Sequence, residues 1–199
     1  EVSPPPLDRD KLAVRAGHHL ERIRIGVQSC AEGEVHPLGR PQKRDEAHAA
    51  LSLIREFDFS RLNVDLIYGG KGQSVETFLD SIDQALIHWP EEIYLYPLYV
   101  RPLTGLGRQD REWDDQRLSM YREARQKLLG SGYRQNSMRM FEREDLPASC
   151  GPAYCCQTDG MIGLGVGARS YTTEVHYSTE YAVGPVSYTH LRAHETASD

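Results

Sequence analysis

The stretch that most limits how this chain can fold is Asn63-Val64-Asp65-Leu66-Ile67-Tyr68-Gly69-Gly70, a short apolar run with an acid at its centre and two glycines at its end. Nearly continuous hydrophobic runs of this length mark parallel strands, whose two faces are both covered. A carboxylate inside such a run is costly unless it is paired or hydrogen-bonded, so Asp65 requires a partner or a ligand. A backbone N–H or an arginine at a strand end would satisfy it in a purely structural role.

The surrounding pattern places that run in a repeating order. Leu7 to His19 reads as a helix stopped by Gly17, and Arg22-Ile23-Arg24-Ile25-Gly26-Val27-Gln28 alternates polar and apolar with the period of a strand. Asp45 is placed to cap a helix with Ala47, Ala50, Leu51 and Ile54 on one face. After the central run, Ser74 with Thr77 caps a helix burying Val75, Phe78, Leu79, Ile82 and Leu86, and Ile93-Tyr94-Leu95-Tyr96 begins a third strand. Strand, helix, strand, helix, strand at these lengths means right-handed βαβ crossovers and a parallel α/β sheet, doubly wound or a barrel.

Beyond Pro97 the character changes. Asp114 or Asp115 can cap a helix through Leu118, Tyr121 and Leu128, ended by Gly130 and Gly132, and Tyr133 to Phe141 reads as one strand with Met138 and Met140 on one face. Gly163-Leu164-Gly165-Val166-Gly167-Ala168 has the outline of a dinucleotide fingerprint but lacks the third glycine at the required offset. Close approach of two backbones is the simpler use of its glycines.

Composition narrows the partners. A net charge of -6 argues against a nucleic-acid or anionic-membrane surface. No stretch approaches the roughly 20 apolar residues of a membrane span, and no basic-then-apolar leader opens the chain. The four cysteines, Cys30, Cys150, Cys155 and Cys156, give little sign of a disulfide framework, so a reducing cytoplasm is expected. None of them has cluster-ligand or other metal-site spacing, so no metal ligand is expected. The chain opens at Glu1 without Met and runs into Pro4-Pro5-Pro6, so both ends read as cuts.

Polar residues fall at the strand ends: Glu1 before the proline turn, Gln28 closing a strand, Arg40 in the following loop, and Asp65 on the next strand. Sites of α/β barrels are built from such positions. The stretches Glu1-Val2-Ser3-Pro4, Ile25-Gly26-Val27-Gln28-Ser29, Leu38-Gly39-Arg40, Asn63 to Gly69 and Gly163 to Tyr171 together resemble radical S-adenosylmethionine enzymes related to oxygen-independent coproporphyrinogen III oxidase. The likeness spans residues 1 to about 184. Tyr96 to Gly105 and Ala168 to Thr172 look most like a coproporphyrinogen-oxidase-like branch of that family.

The resemblance implies a partial (β/α)6 TIM-like barrel over 1–97, a small α+β accessory region over 98–185, and a [4Fe–4S] cluster. In such enzymes the cluster reductively cleaves S-adenosylmethionine to a radical that abstracts hydrogen from the substrate. It implies that Glu1, Gln28, Arg40 and Asp65 hold S-adenosylmethionine, Arg40 taking the methionyl carboxylate with its fork of donors. Partners implied are a small-molecule substrate, porphyrinogen-like or otherwise unassigned, and an external electron donor. A branch of the same family resembles haem chaperones, so haem delivery without oxidase activity is the alternative.

Two departures stand out. Lys71 takes the place of a usual proline, and the Cys-x3-Cys-x2-Cys loop that holds the cluster has no counterpart. Its ligands are expected upstream, and the fragment alone is expected to be inactive. Val186 to Thr196 resembles one reading frame of a sequencing adapter, so 186–199 reads as a non-native tail in which the His190/His194 spacing carries no weight.

Overall fold

The computed structural model describes residues 2, 4, 7–18, 20, 22–31, 34, 43–70, 72–98, 116–147, 160–163, 168–172, 175–178 and 192–195. The chain divides into two compact units, Glu1–Leu146 and Pro147–Asp199. The first contains α1 (Arg9–Gly17), β1 (Arg22–Gln28), α2 (Arg44–Arg55), β2 (Arg61–Tyr68), α3 (Val75–Leu86), β3 (Glu92–Pro97), α4 (Gln116–Gly130), β4 (Tyr133–Gln135) and β5 (Met140–Arg143).

These strands make one open sheet in the order β1-β2-β3-β5-β4. β1, β2 and β3 are parallel and neighbour one another in chain order. Right-handed crossovers that always step the same way put every helix on one face. The three parallel strands are therefore singly wound, as in a barrel wall or in one half of a doubly wound sheet. The change of character after Pro97 shows as a reversal of direction: β5 joins β3 antiparallel, and β4 joins β5 antiparallel.

The pairing register explains the alternating sequence. Ile25, Val64, Ile93 and Phe141 lie side by side across four strands, all fully buried on the helix-covered face. Burial of each is worth about 1.5–3 kcal/mol. The neighbouring register row is Arg24, Asn63, Glu92 and Glu142, and it faces the other way. β2 is thus apolar toward the helices and polar on the side that carries Asp65; its covering is not the same on both faces.

Local chemistry sets the helix ends. Asp8 caps α1, its Oδ1 accepting from the Asp10 amide at 2.9 Å. Ser74 and Thr77 exchange backbone-to-hydroxyl bonds of 3.0 and 3.2 Å at the start of α3, as their spacing predicts. In α2 the N-cap is Lys43 rather than Asp45, and Glu46 reaches back to the Lys43 amide at 2.9 Å. Asp45 instead lies in the first turn, where its charge suits the helix dipole.

Beyond Pro97 the helix expected through Leu118, Tyr121 and Leu128 is present, and the single strand expected over Tyr133 to Phe141 is not. α4 buries Met120, Ala124 and Leu128, and Leu118 faces solvent, because the buried stripe runs from the fifth helical residue. The stretch from Tyr133 to Phe141 is not one strand. It folds back at 136–139 into a hairpin that leaves Met138 71% exposed. The Ser137 hydroxyl accepts the Arg139 and Met140 amides at 3.3 and 3.1 Å and so closes the turn.

The second unit has a three-stranded antiparallel sheet, β6 (Arg169–Tyr171), β7 (Val175–Ser178) and β8 (Arg192–Glu195). Main-chain pairing of this kind requires no particular sequence in β8, which falls in the adapter-like tail. Gly163 donates its amide to Ser170 Oγ at 3.0 Å, and a Cβ there would stand 2.4 Å from the Arg169 carbonyl oxygen. Close backbone approach is therefore the use of that glycine; 164–167 lie outside the described residues.

Candidate functional site

Of the four residues singled out, the described structure places Gln28 and Asp65; Glu1 and Arg40 lie outside the described residues. Val2, next to Glu1, is placed. It runs parallel to β1, its amide donating to the Arg24 carbonyl at 2.8 Å and its carbonyl accepting from Gly26 at 3.2 Å.

Gln28 ends β1 in an unusual conformation. Its φ is +67°, and the Ser29 amide bonds across it to the Val27 carbonyl at 2.8 Å, the i to i+2 closure of a γ-turn. The ladder slips here: Gly26 pairs with Asp65, and Gln28, not Val27, pairs with Leu66. A left-handed non-glycine residue costs about 1–3 kcal/mol, and such strain gathers at binding sites. Gln28 is 8% exposed, yet its amide makes no hydrogen bond to any described residue.

Asp65, one register step behind, has partners. Arg24 Nε donates to its Oδ2 at 2.5 Å and Asn63 Nδ2 to its Oδ1 at 2.8 Å, at 4% exposure. The arginine thus satisfies the charge that the sequence left unexplained. Arg24 also donates to the Tyr96 hydroxyl at 2.8 Å and lies over the stacked rings of Tyr94 and Tyr96. Burial raises both phenols above the usual tyrosine range, so they stay neutral donors at ordinary pH. Period alone does not single out Arg24, because alternation marks it only as one polar position of β1. The signal was present: Arg24, Asn63 and Tyr94 fall on one parity of three adjacent strands.

A third group sits where the loops leave the strands. Gln73 donates to Glu34 at 2.9 Å and to the Ile67 carbonyl at 3.2 Å, and accepts from the Gly70 amide at 3.1 Å. Gly69 turns the chain out of β2 at φ +80°, packed so that a Cβ would collide with the Arg117 side chain.

Cysteine chemistry is absent from this end. Cys30 is buried and free, and burial pushes its thiol up to about 11, against the opposing pull of Arg44. Cys30 stands without a second cysteine among the described residues, whereas an iron–sulfur cluster is held by several thiolates. Cys150, Cys155 and Cys156 lie outside the described residues. Among the described residues no group of three His, Cys, Asp or Glu could hold a metal ion, and no helix is long and apolar enough to cross a membrane. Native-state alkylation at pH 7.5 should leave Cys30 unmodified, with labelling only after denaturation. Peptide mapping checks this, and rapid native labelling would show the burial to be wrong.

A singly wound parallel sheet, helices on one face and polar side chains on the other, is the arrangement found in the wall of an α/β barrel. The homologues of this chain are radical S-adenosylmethionine proteins of the coproporphyrinogen-oxidase-like kind. The chain is 25% identical over 194 residues to the heme chaperone HemW of Bacillus subtilis, a match covering 94% of this chain and 50% of the relative. It is 29% identical over 175 residues to the mitochondrial radical S-adenosyl methionine domain-containing protein 1 of Mus musculus, covering 85% and 39%. Coproporphyrinogen III oxidase (HemN) from Escherichia coli, described as a radical SAM enzyme, shares the fold with a TM-score of 0.74 at 21% identity over 91% of this chain and 45% of that one. No family model matches. The chain spans about half or less of the length of these relatives.

Proposed function

We propose that this chain forms one wall of an S-adenosylmethionine site in a radical S-adenosylmethionine oxidoreductase acting on a porphyrinogen-like substrate. Gln28 carries the reading. The residue is largely buried and held in a strained conformation at the strand end where barrel ligands bind, and its side-chain amide hydrogen-bonds no described residue and so is available to a ligand. That amide can donate to a carboxylate or adenine nitrogen, or accept from an ammonium or ribose hydroxyl. Asp65 adds an acceptor on the neighbouring strand, oriented by Arg24 and Asn63. Glu1 and Arg40 complete the proposed set. When bound, S-adenosylmethionine would supply the adenosyl group used for hydrogen abstraction. The described residues do not fit an iron–sulfur cluster, so its ligands belong to other parts of the protein.

A second reading is haem delivery without oxidation. It is favoured by relatives named heme chaperones in Bacillus subtilis and Escherichia coli, which cover 94% and 87% of this chain. Calorimetric titration of the chain with S-adenosylmethionine tests the first reading, with Gln28→Ala and Asp65→Asn each expected to weaken binding at least tenfold, about 1.4 kcal/mol. Unchanged affinity in both variants would sink it. A parallel titration with hemin that shows saturable absorbance changes, with no S-adenosylmethionine binding, would move the second reading to the front.

A further inference from the structure

We infer that Ser81, a buried hydroxyl on α3, is a positioning residue that holds Gln28 in its left-handed conformation. This rests on the proposed role of Gln28 as a ligand for S-adenosylmethionine.

Ser81 is out of place by composition. It lies among Phe78, Ile82 and Ala85 on the buried side of α3 and is itself fully buried. A hydroxyl in an apolar stripe requires hydrogen bonds, and Ser81 makes two of them and one further polar contact. It donates to the Thr77 carbonyl one turn back at 3.1 Å, lies 3.2 Å from Ser29 Oγ, and accepts from the Cys30 amide at 3.0 Å. Two of the three reach the residues directly after Gln28.

The described residues of that loop, 29–31 and 34, are held from several sides. Ser29 Oγ donates to Glu34 at 2.6 Å and accepts the Ala31 amide at 3.0 Å. Arg44, at the start of α2, donates to the Cys30 carbonyl at 3.2 Å. Glu34 is held in turn by Gln73 from the loop after β2. The loop leaving β1 is thus tied to α2, to α3 and to the loop leaving β2. An isolated γ-turn of positive φ would relax by rotating about Gln28. It persists only when the surroundings over-determine it, and the Ser81 bond is the buried member of the set that acts on the backbone itself. Losing the acceptor frees the Cys30 amide, and the turn then opens at little cost.

The test uses the 199-residue chain, with S-adenosylmethionine as probe and amide hydrogen exchange as a readout independent of activity. Ser81→Ala should speed exchange of the Ser29–Ala31 amides at least tenfold and weaken S-adenosylmethionine binding about tenfold. Ser81→Cys keeps the volume with a weaker acceptor and should fall between Ala and the parent, which covers the case of a poorly folded alanine variant. Ala85→Gly, a buried change on the same helix that touches none of these groups, serves as the control for general destabilisation. It should lower the melting temperature without a selective change at 29–31. If the Ser81 variants move exchange and affinity no more than Ala85→Gly does, Ser81 is only a packing residue and the inference is overturned. If Gln28→Ala binds as tightly as the parent, the site reading itself fails and the inference falls with it, whatever the exchange shows.

Discussion

Arg61→Met should lower the stability of the chain by about 3 kcal/mol, measured by urea unfolding at pH 7. Arg61 stands between two acids on the polar face of the sheet. Its Nη1 donates to Glu92 at 3.2 Å and also to Glu142. Glu92 is fully buried, and one of its oxygens, Oε2, has no partner, so it depends on Arg61 and on the half-exposed Arg22. Removing one member of a buried pair costs about 3–5 kcal/mol. The lower end applies, because Arg22 still reaches Glu92 and Arg134 and Asn136 still reach Glu142. Adding Glu92→Gln to Arg61→Met should recover part of the loss by neutralising the stranded charge. A loss under about 0.5 kcal/mol would place the ladder among ordinary surface pairs.

The same ladder sets an acid limit. Burial alone would raise the Glu142 carboxyl, but hydrogen bonds from Arg61, Arg134 and Asn136 outweigh it and hold the group at about 2, down from 4.5. A carboxyl depressed on folding adds stability that is complete above the unfolded value and is lost as pH falls through the folded one. The Glu142 contribution should therefore fade between about pH 4.5 and about 2. Glu142→Gln should flatten that part of the stability curve.

Gln28→Gly should move stability and binding in opposite directions. Glycine adopts a φ of +67° without strain, so relief of about 1–3 kcal/mol outweighs about 0.5–1 kcal/mol of added chain entropy. The melting midpoint should rise, for a net gain of about 1 kcal/mol. Affinity for S-adenosylmethionine should fall more than tenfold because the amide is gone. A residue shaped for packing alone would behave otherwise, with glycine lowering stability and leaving binding untouched. A fall in both would point to a structural role for the Gln28 side chain.

How much was legible in the sequence follows from which forces are local. Alternation along Arg22–Gln28, the Ser74/Thr77 cap and the stripe Ala47, Ala50, Leu51, Ile54 fix their elements because period and capping depend only on near neighbours. The hairpin at 136–139 was hidden because strand propensity runs straight through it, while the Ser137 hydroxyl that bends it is a single side-chain contact. Gln28 and Asp65 could be named from a resemblance of short motifs. Their states could not.

The sequence by itself determined the order of strands and helices as far as Pro97 and the presence of one acid in a buried run. Only the tertiary structure set which strands become neighbours and gave the parallel strands their singly wound order. It also gave Asp65 its arginine, 41 positions away, and Gln28 its strain, through a loop tied to a helix hydroxyl 51 positions beyond Cys30. Contacts between distant residues have no local period to betray them, and the chemistry of the site rests on those contacts.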